Sequence, residues 1–124
     1  MVFLILIFSL TVCFHKNHKK QMQVTATAYT SHYRQTQGNP SVTAWGDTLQ
    51  PGIKAIAVSR DLIDSGLTHG TRIRIDDLPG TYEVLDKMHG RWTRRIDIYM
   101  GKDVDSAINW GIREVNIRWK EKTN

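Results

Sequence analysis

The sequence predicts a mainly β domain of about six short strands with one or two short helices. Two observations favour this class. In most apolar segments hydrophobic and polar side chains alternate with a period of two, and turn-forming Gly, Pro and Asp residues separate those segments at short intervals. With 124 residues, the chain has room for one domain with a small hydrophobic core.

The first half of the domain is predicted to contain two strands separated by a long loop. Residues 21–29 alternate small apolar residues with threonine and tyrosine, which predicts a strand. Residues 30–44 are rich in Ser, Thr, Gln, Gly and Asn and predict an exposed loop, of a length that often carries function. Residues 51–59 predict a second, buried strand, and residues 60–66 predict a helical turn that ends at Gly66.

A β-hairpin is predicted next, with strands over residues 71–75 and 81–86 joined by a short turn. In the second of these strands Tyr82, Val84 and Asp86 are expected on one face, because side chains alternate along a strand. Asp86 therefore lies next to two residues that are expected to be at least half buried. That position is unusual for an aspartate whose only role is to contact solvent.

The strand predicted over residues 94–100 carries a second aspartate. Ile96 and Ile98 share one face, so that Asp97 projects from the opposite face together with Tyr99. An acidic side chain on the polar face of a half-buried strand is a candidate for a site. We therefore single out Asp97 as well as the aspartate of the preceding hairpin.

A short helix and a closing strand complete the domain. Residues 103–110 predict the helix, with Asp103 as its N-cap, Ile108 on its inward face and Gly111 after its end. Residues 115–119 alternate again and predict the closing strand. Together these elements make six strands with one or two short helices.

The net charge of +5 is concentrated outside the predicted domain. Of the 17 Lys and Arg residues, three lie in an N-terminal segment without acids, at Lys16, Lys19 and Lys20, which leaves 14 basic against 12 acidic residues. A mildly basic domain argues against a dedicated nucleic-acid binder and is compatible with an anionic polymer such as a cell wall. The single cysteine, Cys13, excludes an intrachain disulfide framework and thiolate metal clusters.

The chain begins with an apolar segment. Residues 1–14 are almost entirely apolar, and the polar sequence HKNHKK follows. The run is shorter than the roughly 20 residues of a membrane span. We interpret residues 1–20 as a targeting or anchor segment, residues 21–120 as the domain and residues 121–124 as a tail. This organisation predicts an exported protein of the cell envelope, periplasmic or membrane-anchored, with membrane attachment through residues 1–14 as one option; cleavage or lipidation stays open.

Asp86 and Asp97, eleven positions apart, are the candidate catalytic residues. A carboxylate at the border of an apolar face and near a second carboxylate can have its pKa raised above the reference of about 3.9, as proton donation near neutral pH requires. The structural alternative is that Asp86 caps a turn and that Asp97 pairs with Arg94 or Arg95. The residues alone leave both interpretations open.

Other groups of residues in the sequence give weaker evidence for a catalytic or metal-binding site. The five histidines are scattered without the spacing of metal ligands, and neither a nucleophile elbow nor a Gly-rich phosphate loop occurs. We therefore expect no metal site and no cofactor.

Several short motifs, in this order along the chain, resemble the bacterial 3D domain, which is named for three aspartates. They are T-A-T-A-Y at 25–29, T-A-W-G at 43–46, A-I-A-V at 55–58, G-T-R-I-R-I at 70–75, the D-x10-D pair whose second aspartate lies in R-I-D-I-Y, and N-W-G at 109–111. The resemblance covers residues 24–119. Each motif is short, but their order and spacing together are specific.

The resemblance implies a fold and an activity. The 3D family has a double-psi β-barrel and is akin to lytic transglycosylases of the MltA type, to the stationary-phase survival proteins and, more distantly, to RlpA, barwin and expansins. It implies a lytic transglycosylase that cleaves the β-1,4 MurNAc-GlcNAc bonds of peptidoglycan and leaves a 1,6-anhydro product. Asp97 is then the general acid and base, and Asp86 orients it or stabilises positive charge on the sugar ring.

The resemblance also implies a substrate-binding surface around the two aspartates. Hydroxyl groups and a backbone exposed by glycine suit hydrogen bonding to sugars. The expected substrate-binding residues are Tyr29, Thr43, Gly46, Arg91 and Tyr99. The neighbouring Trp92 either forms a sugar-stacking lip with the arginine or fills a gap in the core.

Two departures from the family pattern favour a second hypothesis. Ser59 stands where the first of the three aspartates usually follows A-V, with Asp61 two residues later, and the loop after Asp86 lacks the glycines of the family. The second hypothesis is a non-catalytic glycan-binding or wall-loosening module of the expansin or RlpA-like type. Both hypotheses give peptidoglycan glycan strands as the partner, no nucleic acid, and a monomer.

Overall fold

The computed structural model of the chain describes residues 19–31 and 41–121. The apolar part of the predicted targeting segment, within residues 1–18, lies outside the described residues, as do the centre of the predicted long loop at 32–40 and residues 122–124 of the tail. In the described part of the chain, no helix is long and apolar enough to span a lipid bilayer.

Six strands form a closed barrel. The elements are β1 (Lys19–Tyr29), β2 (Ala55–Val58), α1 (Arg60–Asp64), β3 (Arg72–Ile75), β4 (Tyr82–Lys87), β5 (Arg95–Tyr99), α2 (Val104–Trp110) and β6 (Arg113–Lys120). The order around the barrel is β1-β5-β2-β4-β3-β6, with β1 parallel to β5, β2 parallel to β4 and all other neighbours antiparallel. This is a small six-stranded double-psi β-barrel with two short helices, and the predicted fold class is confirmed.

The barrel interior is filled by the apolar side chains that alternate along the strands. The larger fully buried aliphatic residues of the six strands are Val24, Ile56, Val58, Ile73, Val84, Ile96, Ile98 and Ile117. Most are β-branched, and such side chains pack well on a pleated surface. Each contributes roughly 1.5–3 kcal/mol through burial, so this core is what holds the outer surface in place.

The helix α2 is anchored by a residue that the helical pattern did not single out. The predicted N-cap is confirmed, since Asp103 Oδ1 accepts a hydrogen bond of 3.0 Å from the Ser106 backbone N–H. The inward position predicted for Ile108 is wrong, because this side chain is 70% exposed. Instead the buried Trp110 Nε1 donates to the Ala26 carbonyl oxygen at 3.2 Å, which fixes the helix against β1.

The register of β4 shifts by one residue at Leu85. Val84 and Asp86 lie opposite consecutive residues of β2, the second of which is Ala57, so that Leu85 is an extra residue in the strand. The prediction that Val84 and Asp86 share a face is therefore wrong. Val84 points into the core, whereas the β-bulge turns Asp86 to the outer surface, where Asp97 also lies.

Candidate functional site

Four neighbouring strands each place one residue in a row on the outer surface of the barrel. The strand register pairs Thr27 with Asp97, Asp97 with Ala57, and Ala57 with Asp86. We call these four residues the aspartate row. Since neighbouring strands lie about 4.8 Å apart, the Cα atoms of the two aspartates are roughly 10 Å apart, with only a small side chain between them. The structure thus brings together the two predicted catalytic aspartates.

Asp97 is half buried and has an unusual pKa. Its Oδ1 accepts a hydrogen bond of 3.2 Å from Thr27 Oγ1, which in turn accepts one of 3.4 Å from Arg95 Nε. Burial raises the pKa of Asp97 to about 6; the Thr27 hydrogen bond and the Arg95 charge act in the opposite direction, and the Asp86 carboxylate raises the pKa further. Asp97 therefore holds or releases a proton near neutral pH, as a general acid and base must.

The predicted structural alternative for Asp97 is a salt bridge to Arg94 or Arg95. Among the described residues the salt bridges are those of Lys20, His69 and Arg118, and none includes Asp97. The charge of Arg95 still acts on Asp97 through space, and their shared partner is the Thr27 hydroxyl. Asp97 is thus held by hydrogen bonding rather than neutralised by an ion pair.

Asp86 is tied to its surroundings by backbone amides. Its Oδ1 accepts hydrogen bonds of 2.9 Å from the backbone N–H of Ala44 and from that of Lys87. The first bond joins β4 to the turn that contains the T-A-W-G motif. The predicted role of Asp86 as a turn-stabilising residue therefore agrees with the structure, and that role coexists with a position beside Asp97.

Two tyrosines lie next to the aspartate row. The rings of Tyr29 and Tyr99 are 5.5 Å apart between centroids. Burial raises the pKa of Tyr29, and the charges of Asp86 and Asp97 raise it further, so the phenol stays neutral. The Tyr29 hydroxyl is buried without a hydrogen-bond partner among the described residues. A neutral phenol that is closed off from solvent thus lies next to the row.

Tyr99 occupies a deeper position than Tyr29. Its side chain is 3% exposed, and its hydroxyl lies 3.0 Å from Ser31 Oγ, with which it shares a hydrogen bond. The predicted contact of Tyr99 with substrate stays a prediction. In the structure the Tyr99 ring packs against the ring of Tyr29.

The T-A-W-G motif forms a tight turn over the aspartate row. The Gly46 backbone N–H donates to the Thr43 carbonyl oxygen at 3.0 Å, and the Asp47 N–H donates to Thr43 Oγ1 at 3.0 Å. Gly46 has a φ of +87°, a conformation that glycine adopts without strain. Thr43 and Gly46 therefore shape the turn, which directs the Ala44 amide to Asp86.

Trp45, in the same turn, was not among the predicted site residues. Its half-buried ring lies edge-on to His69 at 5.1 Å between centroids, and Lys87 Nζ lies 5.8 Å from its centroid. His69 Nε2 is itself 2.6 Å from Asp47 Oδ2, which holds the ring in place. The T-A-W-G motif could have pointed to Trp45, because this residue lies between Thr43 and Gly46, which were both predicted to bind substrate.

A second aromatic group lies at the other end of the row. Two guanidinium groups contact the ring of Trp92, with Arg91 Cζ at 4.8 Å and Arg95 Cζ at 4.0 Å from its centroid. Trp92 is half buried and belongs to neither cluster of buried core residues, so the core-filling alternative does not hold. Because Arg95 also donates to Thr27, the stack continues the aspartate row.

The position at which the family has its first aspartate has a structural role in this chain. Ser59 is fully buried, and its Oγ accepts a hydrogen bond of 2.9 Å from the Arg95 backbone N–H. Burial alone would raise the pKa of Asp61, but hydrogen bonds from Ser59 and from the backbone N–H groups of Arg94 and Leu62 outweigh it and lower that pKa. Asp61 therefore secures the start of β5 and does not add a third carboxylate to the row.

The site combines a proton-holding carboxylate, a second carboxylate, a phenol without a hydrogen-bond partner in the described part of the chain, and two half-buried tryptophans. Such a set can hydrogen-bond sugar hydroxyls and stack on sugar rings. Within residues 19–31 and 41–121, no group of three or more His, Cys, Asp or Glu side chains is arranged to hold a metal ion.

Comparison with known proteins identifies the fold. Neither the family models nor the curated protein sequences give a match to this chain. Among solved structures, the apo expansin of Clavibacter michiganensis is similar over 85% of this chain, with a TM-score of 0.55 and 18% identity. A point mutant of that expansin in complex with cellohexaose gives a TM-score of 0.53 and 19% identity over the same share.

A third solved structure, the Streptomyces papain inhibitor, is similar over 83% of this chain and 96% of its own length, with a TM-score of 0.56 and 14% identity. The chain spans about half the length of the two expansin chains, 52% in each case. At these identities the similarities show a shared double-psi β-barrel.

Proposed function

We propose that this chain is a cell-wall glycan-binding or wall-loosening module, and that peptidoglycan glycan strands lie along the aspartate row between Trp45 and Trp92. The observation that carries the proposal is the row itself. Register and bulge align Asp97 and Asp86 on one surface, with an aromatic ring at each end. The similarity to an expansin bound to cellohexaose, a linear sugar chain, supports the same class of ligand.

The geometry suits a polymer of sugar rings. Ala57 between the two aspartates has a side chain small enough for a sugar to approach the sheet. Carboxylate oxygens accept hydrogen bonds from hydroxyl and acetamido groups. The exposed parts of the half-buried rings of Trp45 and Trp92 provide apolar surface for neighbouring rings of the chain. Arg91, stacked on Trp92, places a positive charge where anionic wall substituents pass.

A second candidate function is the lytic transglycosylase of the 3D family. One observation favours it, namely the half-buried carboxyl of Asp97 with a pKa raised to about 6. In this mechanism protonated Asp97 donates its proton to the glycosidic oxygen as the bond to the anomeric carbon breaks. The resulting carboxylate then takes the proton from the muramic C6 hydroxyl, whose oxygen bonds to the anomeric carbon and closes the 1,6-anhydro ring. Asp86 stabilises the positive charge on the ring.

The proposal includes a location. Peptidoglycan lies outside the cytoplasmic membrane, and the apolar run at residues 1–14 is suited to direct export or to hold the chain at that membrane. We accordingly place the domain in the cell envelope, as a monomer.

One experiment separates the two functions. The full chain is incubated with purified peptidoglycan, and the bound protein and released fragments are measured, the fragments by mass spectrometry. Binding without released fragments is the expected result for the module. Anhydro-muropeptides that disappear in Asp97→Asn establish the transglycosylase instead, and reducing ends indicate a hydrolase. The absence of both binding and products would overturn the proposed function.

A further inference from the structure

A second surface of the barrel, formed by β3, β6 and the first residues of β1, contains a cleft of about 850 Å³. Its lining includes six Lys and Arg side chains and no Asp or Glu. These six, which we call the basic cleft, are Lys19, Lys20, Arg72, Arg74, Arg118 and Lys120. Ile73 and Trp119 also line the cleft, and the aspartate row contributes no residue to it.

The strand register places like charges directly opposite each other in this cleft. Lys19 lies opposite Lys120 on β1 and β6, and Arg74 lies opposite Arg118 on β3 and β6. Opposite residues of antiparallel strands have Cβ atoms about 4.5–5.5 Å apart, and like charges at that distance destabilise the pair. Charged residues often protect the free edge of a sheet, but a closed barrel has no such edge. The fold itself therefore gives no reason for these two pairs.

Few acidic side chains compensate the basic cleft. Arg118 Nη2 pairs with Asp76 Oδ1 at 2.8 Å, and Lys20 Nζ pairs with Glu121 Oε1 at 3.2 Å. The other four cations of the cleft form no salt bridge with any residue that the structure describes. Glu83 lies opposite Arg72 in the register, yet the two do not pair. An anion from outside the chain would relieve this repulsion.

We propose that the basic cleft binds the phosphate groups of anionic phospholipids at a membrane surface. Arg and Lys suit this ligand, because guanidinium groups bind phosphate through two parallel hydrogen bonds and ammonium groups act as point charges. The position of the cleft in the chain specifies the source of the phosphate. Only four residues separate Lys19 from Phe14, the end of the apolar run. The distance between those two residues is therefore at most about 18 Å.

An apolar run in the bilayer thus holds the basic cleft at the headgroup layer. The inference rests on the proposed placement at the membrane but not on glycan binding. The aspartate row shares only β1 with the basic cleft, at the opposite end of that strand, so the domain can contact lipid and a glycan strand at the same time.

The test compares binding of the full chain to two kinds of vesicle. One is pure phosphatidylcholine and the other contains phosphatidylglycerol. The apolar run contributes equally to both, so the ratio of the two partition coefficients isolates the charge effect. We expect a ratio well above one that falls with added salt. The double variant Arg74→Gln with Lys120→Gln should lower it about 25-fold, because each cation near an anionic surface contributes about fivefold.

The matched control is Lys102→Gln with Arg94→Gln, which removes the same charge from exposed positions outside the cleft. The control variant should keep most of the wild-type ratio of partition coefficients. Peptidoglycan binding should be unchanged in the variant Arg74→Gln with Lys120→Gln. A wild-type ratio of one overturns the inference, as does an equal loss in the control. Binding to soluble polyphosphate with a vesicle ratio of one would assign the cleft to a soluble phosphate polymer instead of a membrane. Neither the vesicle ratio nor binding to polyphosphate depends on whether glycan is bound or cleaved.

Discussion

The aspartate row and the basic cleft use charge in opposite ways on one barrel. In the row, two carboxylates are partly withdrawn from water, held by hydrogen bonds and flanked by aromatic rings. In the cleft, cations face each other with few partners. Partial burial changes the proton affinity of a single group, whereas a set of like charges produces a field that reaches about a Debye length. The row is thus suited to short-range recognition or proton transfer, and the cleft to attraction of a polyanion.

The largest expected effect comes from removing the bulge that creates the row. Insertion of an alanine between Ile56 and Ala57 would give Leu85 a partner on β2, restore the alternation across the two strands and turn Asp86 to the side of Val84, toward the barrel interior. Burying an unpaired carboxylate there should cost more than about 4 kcal/mol and prevent stable folding. Circular dichroism and urea unfolding would measure the loss. The control Leu85→Ala keeps the register and should cost about 1–2 kcal/mol, and an insertion variant as stable as this control would contradict the role of the bulge.

The next effect concerns the proton on Asp97. The folded-state pKa of Asp97 is about 6, whereas an aspartate in an unfolded chain has a pKa of about 3.9. Between about pH 4 and 6 the folded state therefore binds more protons than the unfolded state. Stability should therefore fall as pH rises through this window, by up to about 2–3 kcal/mol at pH 7.

Asp97→Asn removes the cost of holding a charged carboxylate in a half-buried position and can retain the hydrogen bond from Thr27. It should unfold at higher urea concentration than the wild type at pH 7 and show a flatter stability profile between pH 4 and 6. The matched Asp61→Asn change should have the opposite sign, because hydrogen bonds lower the pKa of Asp61. Reduced stability of Asp97→Asn at pH 7 would show that the carboxylate is compensated in the folded protein.

A smaller effect is expected from the tryptophans at the ends of the row. Trp45→Ala and Trp92→Ala should each weaken peptidoglycan binding by about 1–2 kcal/mol, since each ring provides a surface for a sugar. Binding to insoluble peptidoglycan, measured by depletion from solution, would test this. Ile112→Ala is the control, because Ile112 is an exposed apolar residue that is not part of the row. Unchanged binding in both tryptophan variants would move the ligand away from the row.

The smallest expected effect is the change in protein stability when one charge of the basic cleft is removed. Arg74→Gln removes one like-charge pair and should raise the free energy of unfolding by about 0.2–1 kcal/mol. The gain should shrink at high salt, because salt screens the repulsion. A loss of stability would instead show that Arg74 packs against its neighbours to the benefit of the fold.

Much of the barrel could be predicted from local patterns. The alternation in β3, β5 and β6 correctly identified the buried side of each strand, for example Ile73 against Arg72 and Arg74. Asp103 was recognised as an N-cap, because the capping bond joins residues three apart. Ile108 was misassigned, because several rotations of so short a helix satisfy the apolar pattern and the buried Trp110 selects one of them.

The candidate site was only partly predictable. The spacing and motif context singled out Asp86 and Asp97, but strict alternation put Asp86 on the wrong face, since a single extra residue in a strand leaves no clear mark in the apolar pattern. Trp45 was missed because its contacts with His69 and Lys87 join residues far apart in the chain.

The sequence by itself determined the number of strands, their buried faces and the two aspartates worth examining, because each of these depends on interactions between residues a few positions apart. Tertiary structure alone decided that Asp97 and Asp86 flank Ala57, that burial raises the pKa of one of them, and that like charges meet in a cleft. Those features depend on which strands become neighbours when the barrel closes, and that choice minimises the free energy of the whole chain rather than of any local segment.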